Sequence, residues 1–450
     1  MLMSELRSSE FSRLDEADHA YLDYTGAALY PLSLVEAHAA MLRHAVLGNP
    51  HSESQASLAS SALLAEARER VRRCFHGDDY EVCFTANATG AIRLVAESFP
   101  FTSRQSLVLT ADNHNSVNGI REYARRAGAR VQYLAMDDDL RIAAPLLPDG
   151  PGLFAFPAQS NFSGVKHSLG LISQAQDRGY SVLLDAAAFV PTSALDLRVV
   201  RAEFVALSFY KMFGYPTGVG ALLARKDALA TLRRPWFAGG TVDHVTIDPP
   251  EHVLLDGAAA FEDGTGNFLA IGAIPEGLRW LATCGVENIG ARASALACSL
   301  SAAIGALHHR NGRPVVRQYG PRDWSSRGAV VTFNVLDDRG AIVSHEIVER
   351  EARAVRVSVR GGCFCNPGAA EAVGAGFNAA VPGAVRVSLG AANDERDVDR
   401  LVELVATVAA HRPAARRQHW TSFAPSPPPA LVATLAASVG ASDRTARTLR

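Results

Sequence analysis

Short apolar runs at residues 81–85, 106–110, 130–134, 152–157, 181–184, 204–208 and 220–224 alternate with stretches of helical periodicity, among them 88–98, 117–127 and 171–178. Runs of this length, rich in Val, Leu and Phe, read as strands, and parallel strands separated by helices are joined as crossover units. The pattern predicts an α/β fold, with a mostly parallel seven-stranded sheet covered by helices on both faces. In such a sheet the loops beyond the carboxyl ends of the strands form the ligand site. Polar residues collect there: the stretch from Thr85 to Gly90, and His114, Asn161, Asp185 and Lys211, stand at or just past the end of a predicted strand.

After about residue 270 the pattern changes. Helices are expected at 271–283 and 289–309, then strands at 329–335, 355–359 and near 385–389, and a closing helix at 395–410. This reads as a smaller α+β lobe. A chain of 450 residues with 48% hydrophobic content exceeds what one core holds, since single cores stop growing near roughly 250–300 residues. The expected division is an N-terminal segment 1–30 that joins the small domain, a large ligand-binding domain 31–270, a small domain 271–411 and a tail 412–450. The tail carries Pro425-Ser426-Pro427-Pro428-Pro429; it is expected to be partly disordered, with a short helix at 430–438.

The formal net charge is −2, and no basic stretch stands out. That argues against nucleic acid and against a membrane surface as partners. Residues 1–18 lack the apolar core of a secretory leader, and no run is long and apolar enough to span a bilayer. The six cysteines are scattered, which fits free thiols in a reducing cytoplasm. The expected partner is a small molecule or another protein.

Lys211 follows the apolar run 204–207 within Ser208-Phe209-Tyr210-Lys211 and precedes a glycine-rich stretch. Asp185 ends the run Val182-Leu183-Leu184. A lysine and an aspartate at the ends of neighbouring strands suit pyridoxal phosphate (PLP): the amine forms an imine, and the carboxylate keeps the ring nitrogen protonated. Ser-x-x-Lys also occurs in serine acylases, but the accompanying Ser-Asp-Asn and Lys-Thr-Gly elements are absent. Asp185 alone reads as a helix cap, the more common case, or as a charge held for a ligand; its pairing with Lys211 favours the ligand. Asn87-Ala88-Thr89-Gly90 opens a helix whose free N–H groups can hold a phosphate. His114 reads as a ring stacked on a flat cofactor, an acid/base, or a surface residue.

Arg360 and Arg386 each border a strand, where a guanidinium fork suits the carboxylate of an amino-acid substrate as well as it suits a salt bridge. Cys363-Phe364-Cys365 lies in a glycine-flanked loop, Arg360-Gly361-Gly362 before it and Asn366-Pro367-Gly368 after it. Neither this pair nor His345 with Glu349 completes a metal set, so no metal is expected. A cysteine beside arginine suits a reactive thiolate, because nearby positive charge lowers its pKa.

Three motifs, in this order, resemble the class V aminotransferase fold and, within it, the cysteine desulfurases. They are most similar to the PLP domain of molybdenum cofactor sulfurases. The motifs are Tyr21 to Pro31 (YLDYTGAALYP), Ser208 to Gly218 (SFYKMFGYPTG) and Gly361 to Gly368 (GGCFCNPG). The resemblance runs from about Tyr21 to Ala410 and implies PLP-dependent fold type I. It further implies that Lys211 carries the imine, Asp185 pairs with the ring nitrogen, His114 stacks on the ring, and Asn161 reaches the ring oxygen. Thr89 and Ser208 then hold the phosphate, Ala88 and Tyr210 also contact the cofactor, and Thr241 reaches the phosphate of the neighbouring subunit in a homodimer. Arg386, with Arg360 nearby, binds the substrate carboxylate, and Cys365 accepts sulfur. Many desulfurases carry glutamine and histidine where this chain has Ala188 and Tyr210. The implied activity removes sulfur from L-cysteine, leaving alanine and a persulfide on Cys365 that passes to an acceptor protein or small molecule. The alternatives are a PLP-dependent C–S lyase, epimerase or aminotransferase, and a non-catalytic sulfur carrier or scaffold.

Overall fold

The computed structural model describes residues 5–143, 147, 148 and 150–410. The Pro-rich tail and the helix expected at 430–438 lie outside the described residues. The large sheet is formed by β1 (Tyr80–Thr85), β2 (Ser106–Thr110), β3 (Arg130–Leu134), β4 (Gly152–Pro157), β5 (Tyr180–Asp185), β6 (Phe204–Ser208) and β7 (Gly220–Arg225). Their spatial order is β1-β7-β6-β5-β4-β2-β3. Only β7 runs antiparallel to its neighbours; all other pairs are parallel. The expected seven-stranded, mostly parallel sheet is what forms.

The sheet is covered on both faces, which is why its central strands read as unbroken apolar runs. β4 and β6 are buried at every position. Successive side chains point to opposite sides: Val182 and Leu184 enter one core with Phe154 and Phe156, while Leu183 enters another with Leu153 and Ala155. Helix α1 (Gln55–Cys74) supplies Ala67 and Val71 to the first core. Helix α2 (Ala88–Ser98) supplies Ala91, Ile92 and Val95 to the second. A short helix α3 (Phe209–Phe213) follows β6 directly.

Helices α4 (Ile274–Cys284) and α5 (Val286–Gly305) lead to a second sheet. It contains β8 (Val316–Tyr319), β9 (Val330–Val335), β10 (Arg360–Gly362) and β11 (Ala384–Ser388), antiparallel in the order β8-β9-β11-β10. Helix α6 (His345–Ala354) lies between β9 and β10 in the chain, and α7 (Glu395–Ala410) follows β11. α5 and α7 bury Leu296, Leu300, Leu401 and Val405 in a third core, joined by Ala20 and Leu22 from the N-terminal segment. Residues 5–410 belong to one compact unit.

Several boundaries differ from the sequence expectation for local reasons. The helix expected at 117–127 is two pieces, Asn115–Asn118 and Ile120–Arg126, divided at Gly119. α4 starts later than expected, with Pro275 in its first turn, where its missing N–H has no intrahelical partner to lose. The strand expected at 355–359 shrinks to Val357–Ser358 because Arg356 takes a φ of 55°, which breaks extended pairing. β8, β10 and α6 were not anticipated.

Gly214 ends α3 with a φ of 76°. A Cβ at that position would run into the backbone of Leu29 and Tyr30. Replacing Gly214 by Ala is expected to cost about 2–4 kcal/mol, combining a left-handed backbone with overpacking. Urea denaturation reads this as a lowered midpoint with an unchanged slope.

Candidate active site

The polar side chains of the central cavity are carried by the last strand residues, loops and helix starts at the carboxyl ends of the parallel strands and just beyond β1. β5 and β6 are parallel neighbours, with Asp185 opposite Ala206. Asp185 closes β5, and its Oδ1 accepts from the Ala187 amide at 3.0 Å. Ser208 closes β6, where the chain enters α3 and carries Tyr210 and Lys211 into the space above the sheet. The N-terminus of α2 meets them: the Ala88 amide donates to Ser208 Oγ at 2.8 Å. The Asn87 side chain caps α2 by accepting from the Gly90 amide at 3.0 Å. Gly220 is obligatory for this approach, since a Cβ there would strike the Asn87 backbone.

A cavity of about 130 Å³ results. Ala88, Thr89, His114 and Asn161 line it, together with Asp185, Ser208, Tyr210 and Lys211. Burial pushes the Lys211 ammonium below its ordinary pKa; Asp185 opposes that shift, and Arg386 and Arg360 reinforce it. His114 is also pushed down, chiefly by burial, with Asp185 opposing. Its Nδ1 accepts from the Ser116 amide at 3.1 Å, so the neutral ring carries its proton on Nε2. Ser116 Oγ also lies 2.7 Å from Thr89 Oγ1.

The remaining expected residues sit outside that lining. Arg386, on β11, is buried; it donates from Nη1 to the Asn161 carbonyl at 2.8 Å and from Nη2 to Asp23 Oδ1 at 3.0 Å. Its Nε is buried and, among the described residues, has no acceptor. Burial pushes its pKa down, against the pull of Asp23. Arg360 is the cross-strand partner of Arg386. Its fork is taken up by Asp23 Oδ2, at 2.9 Å from Nε and 2.6 Å from Nη2. Thr241 is buried with its hydroxyl closed onto Ala238, accepting from the amide at 2.9 Å and donating to the carbonyl at 2.8 Å.

Cys365 is an exposed free thiol and Cys363 a half-buried one. Phe364 between them packs on Phe162, and the Arg386 guanidinium lies 4.8 Å from its ring centroid. The Asn161 amide reaches the same loop, donating from Nδ2 to the Phe364 carbonyl at 2.6 Å. The expectation of a positively charged setting that acidifies the thiols fails for Cys363: burial and Glu371 both push that thiol up. Among the described residues no group of three or more His, Cys, Asp or Glu is placed to hold a metal.

Sequence reasoning passed over Gln159 and Ser116, which also line the cavity. Gln159 Oε1 is buried and, among the described residues, has no partner. Its only sequence signal is its place just beyond β4, two residues before Asn161.

These groups fit a phosphorylated aldehyde coenzyme. An amine biased toward its neutral form can condense with the aldehyde. A carboxylate stands at the end of the neighbouring strand, and the N-terminus of α2 with the Ser208 and Thr89 hydroxyls suits a phosphate.

A family model described as Aminotransferase class-V matches residues 20–401. Human molybdenum cofactor sulfurase is 38% identical over 398 residues, covering 82% of this chain and 45% of the relative. The chain thus spans about half the length of the curated relatives it matches. Among solved structures, the apo cysteine desulfurase of Thermococcus onnurineus NA1 superposes with a TM-score of 0.80 at 24% identity, covering 90% of this chain and 98% of that one. The Escherichia coli cysteine desulfurase CsdA gives 0.77 at 22% identity, covering 91% and 98%. The sheet order and the two-sheet architecture are thus those of the fold type I PLP enzymes. The match across both sheets, together with a cavity built around Lys211 and Asp185, leads to one assignment: the chain belongs to the class-V aminotransferases, a PLP-dependent family.

Proposed function

We propose that the protein is a cysteine desulfurase, releasing alanine from L-cysteine and retaining the sulfur as a persulfide on Cys365. The carrying observation is that the exposed Cys365 loop is bonded, through the Phe364 carbonyl, to Asn161 in the wall of the Lys211 cavity.

PLP, when bound, supplies the electron sink that lets the substrate lose its α-proton. Lys211 would hold it covalently, Asp185 would hold the proton at the ring nitrogen, and His114 and Asn161 would flank the ring. Thr89 and Ser208 would hold the phosphate, with Ala88 and Tyr210 also lining the coenzyme's cavity. With its amine free, Lys211 would move the proton at the substrate α-carbon. Burial, which biases its amine toward the neutral form, favours that work. The Cys365 thiolate then attacks the substrate sulfur: an S–S bond forms, the substrate C–S bond breaks, and its electron pair stays with the carbon that becomes the alanine methyl group.

Arg386 is the carboxylate-binding group, with its Nε donor free among the described residues. Arg360 neutralises Asp23 alongside it. Thr241, held away from its own chain's cavity, is assigned to a cavity completed by a second copy in a homodimer, and the six free cysteines fit a reducing cytoplasm. The acceptor is a protein or small molecule; the human relative's name points to the molybdenum cofactor as the first acceptor to test.

Incubation with L-cysteine and a reductant is expected to give alanine and sulfide in equal amounts. Cys365→Ser is expected to abolish persulfide labelling while leaving the coenzyme absorbance in place. Full retention of turnover by that variant, with pyruvate in place of alanine, would show a C–S lyase instead. Lys211→Ala is expected to lose at least about 10²-fold in turnover and the borohydride-fixed coenzyme label seen by mass spectrometry.

The proton state of Lys211 is testable without the cofactor. Its pKa is lower folded than unfolded, so over the intervening pH range the unfolded chain binds more protons, and stability rises with pH. In cofactor-free protein Lys211→Met is expected to be the more stable form at neutral pH. Its advantage should shrink as pH rises toward 10.5, the ordinary lysine value. Urea titrations across that range read the difference, and a constant gap would contradict it.

A further inference from the structure

A buried chain of polar groups runs from the loop beyond β2 to the cysteine loop. Asp112, just beyond β2, is fully buried, and His167 is buried beside it. His167 Nε2 lies 2.8 Å from Asp112 Oδ2. Asp112 Oδ1 accepts from Ser160 Oγ at 2.9 Å and from Asn366 Nδ2 at 2.6 Å. Asn366 Nδ2 also lies 2.9 Å from Asn161 Oδ1, and Asn161 returns a bond to the Phe364 carbonyl. The next carbonyl, that of Cys365, accepts from the Asn115 amide at 2.7 Å. Two consecutive loop carbonyls are therefore tied to the large sheet's loops.

The loop needs such ties. Phe364 and Cys365 have φ values of 54° and 55°, a left-handed backbone that residues with side chains disfavour and that persists only where the surroundings over-determine it. The chain beyond the loop is equally close: a Cβ on Gly368 would strike the Ala111 carbonyl, next to Asp112. A polar chain this deeply buried is costly unless every member is satisfied; Asp112 holds Ser160 and His167 from the large domain's own loops, and its third bond, from Asn366, is the one that ties it to the cysteine loop.

We propose that Asp112, His167 and Asn366 are positioning residues that hold Cys365 at the mouth of the Lys211 cavity, with Asn161 as the joint through which loop and cavity constrain each other. None of the three touches the reacting atoms; each acts through the loop backbone. The proposal rests on the reading of Cys365 as the sulfur acceptor. A nucleophile misplaced by about 1 Å can lose on the order of 10²-fold in rate, so a loosened loop should spare substrate binding and slow sulfur transfer.

The test uses full-length protein loaded with PLP. The rate of Cys365 alkylation by iodoacetamide is followed by peptide mass spectrometry, and kcat and KM for L-cysteine are measured in parallel. Asn366→Ala and Gly368→Ala are expected to accelerate alkylation several-fold. They should lower kcat for persulfide formation by about 10- to 100-fold while leaving KM within about twofold and coenzyme content unchanged. His167→Ala should move the same readouts in the same direction, and His167→Gln, which restores a donor to Asp112, should recover them. Unchanged alkylation in all of these variants overturns the proposal, as does a parallel loss of coenzyme, KM and kcat. If the loop variants do not fold, the His167→Ala and His167→Gln pair decides alone, and equal behaviour of the two overturns it. Alkylation does not require turnover, so a failure of the desulfurase reading shows separately, as Cys365→Ser retaining full activity.

Discussion

Parallel pairing of β5 with β6 places a carboxylate and an amine at adjoining strand ends, and the rest of the site is organised around that pair. Asp185 closes one strand, and Lys211 begins one helical turn after the other. Neither position tolerates drift. A one-residue slip in register would turn Asp185 toward the opposite face of the sheet, and the buried runs on both sides of β5 and β6 make such a slip prohibitive. The hydrophobic cores thus act on the chemistry indirectly, by fixing a register that the polar residues alone could not specify.

The same enclosure sets the protonation states. Asp185 attracts the Lys211 ammonium, yet burial outweighs it and the pKa falls. His114 responds in the same direction for the same reason. A cavity that disfavours a charged lysine is suited to amine chemistry, because only the neutral form condenses with an aldehyde. Behind the Asn161 wall of the cavity Arg386 remains a buried cation, held by Asp23 and the Asn161 backbone carbonyl. Removing Asp23 would leave that charge uncompensated, the more damaging of the two ways to break a buried pair. The N-terminal segment that carries Asp23 is therefore part of the site's electrostatics, although it lies far from Lys211 in sequence.

Residues at strand ends were legible from the sequence because two local patterns, apolar run and polar terminus, locate them without any long-range information. That covers Asp185, Ser208, Lys211, His114 and Asn161, and the seven-stranded sheet with them. The motif resemblance added the order and identity of the loops. What stayed hidden depends on contacts between distant segments. Arg360 and Arg386 look alike in sequence, each beside a strand, and only the fold shows that Asp23 engages the full fork of the first while a donor of the second lacks an acceptor. Thr241 is a residue whose own-chain surroundings, a closed turn on Ala238, carry no sign of a ligand. α6 and β10 were missed because short or strongly charged segments take their structure from packing on the second sheet.

The cysteine loop shows the same limit in its strongest form. In sequence Asn366 is one more polar residue in a glycine-rich turn, and Asp112 one more acid after a strand. Brought together, they bond at 2.6 Å in a buried site. That bond joins loops that begin on different sheets, so a rigid-body shift of one sheet against the other must either break it or carry the cysteine along. Because Asn161 both lines the cavity and holds the Phe364 carbonyl, a ligand that draws on the Asn161 amide competes directly with the cysteine loop for the same donor. Occupancy of the cavity and the position of the thiol are then linked through a single side chain, and by linkage each must bias the other.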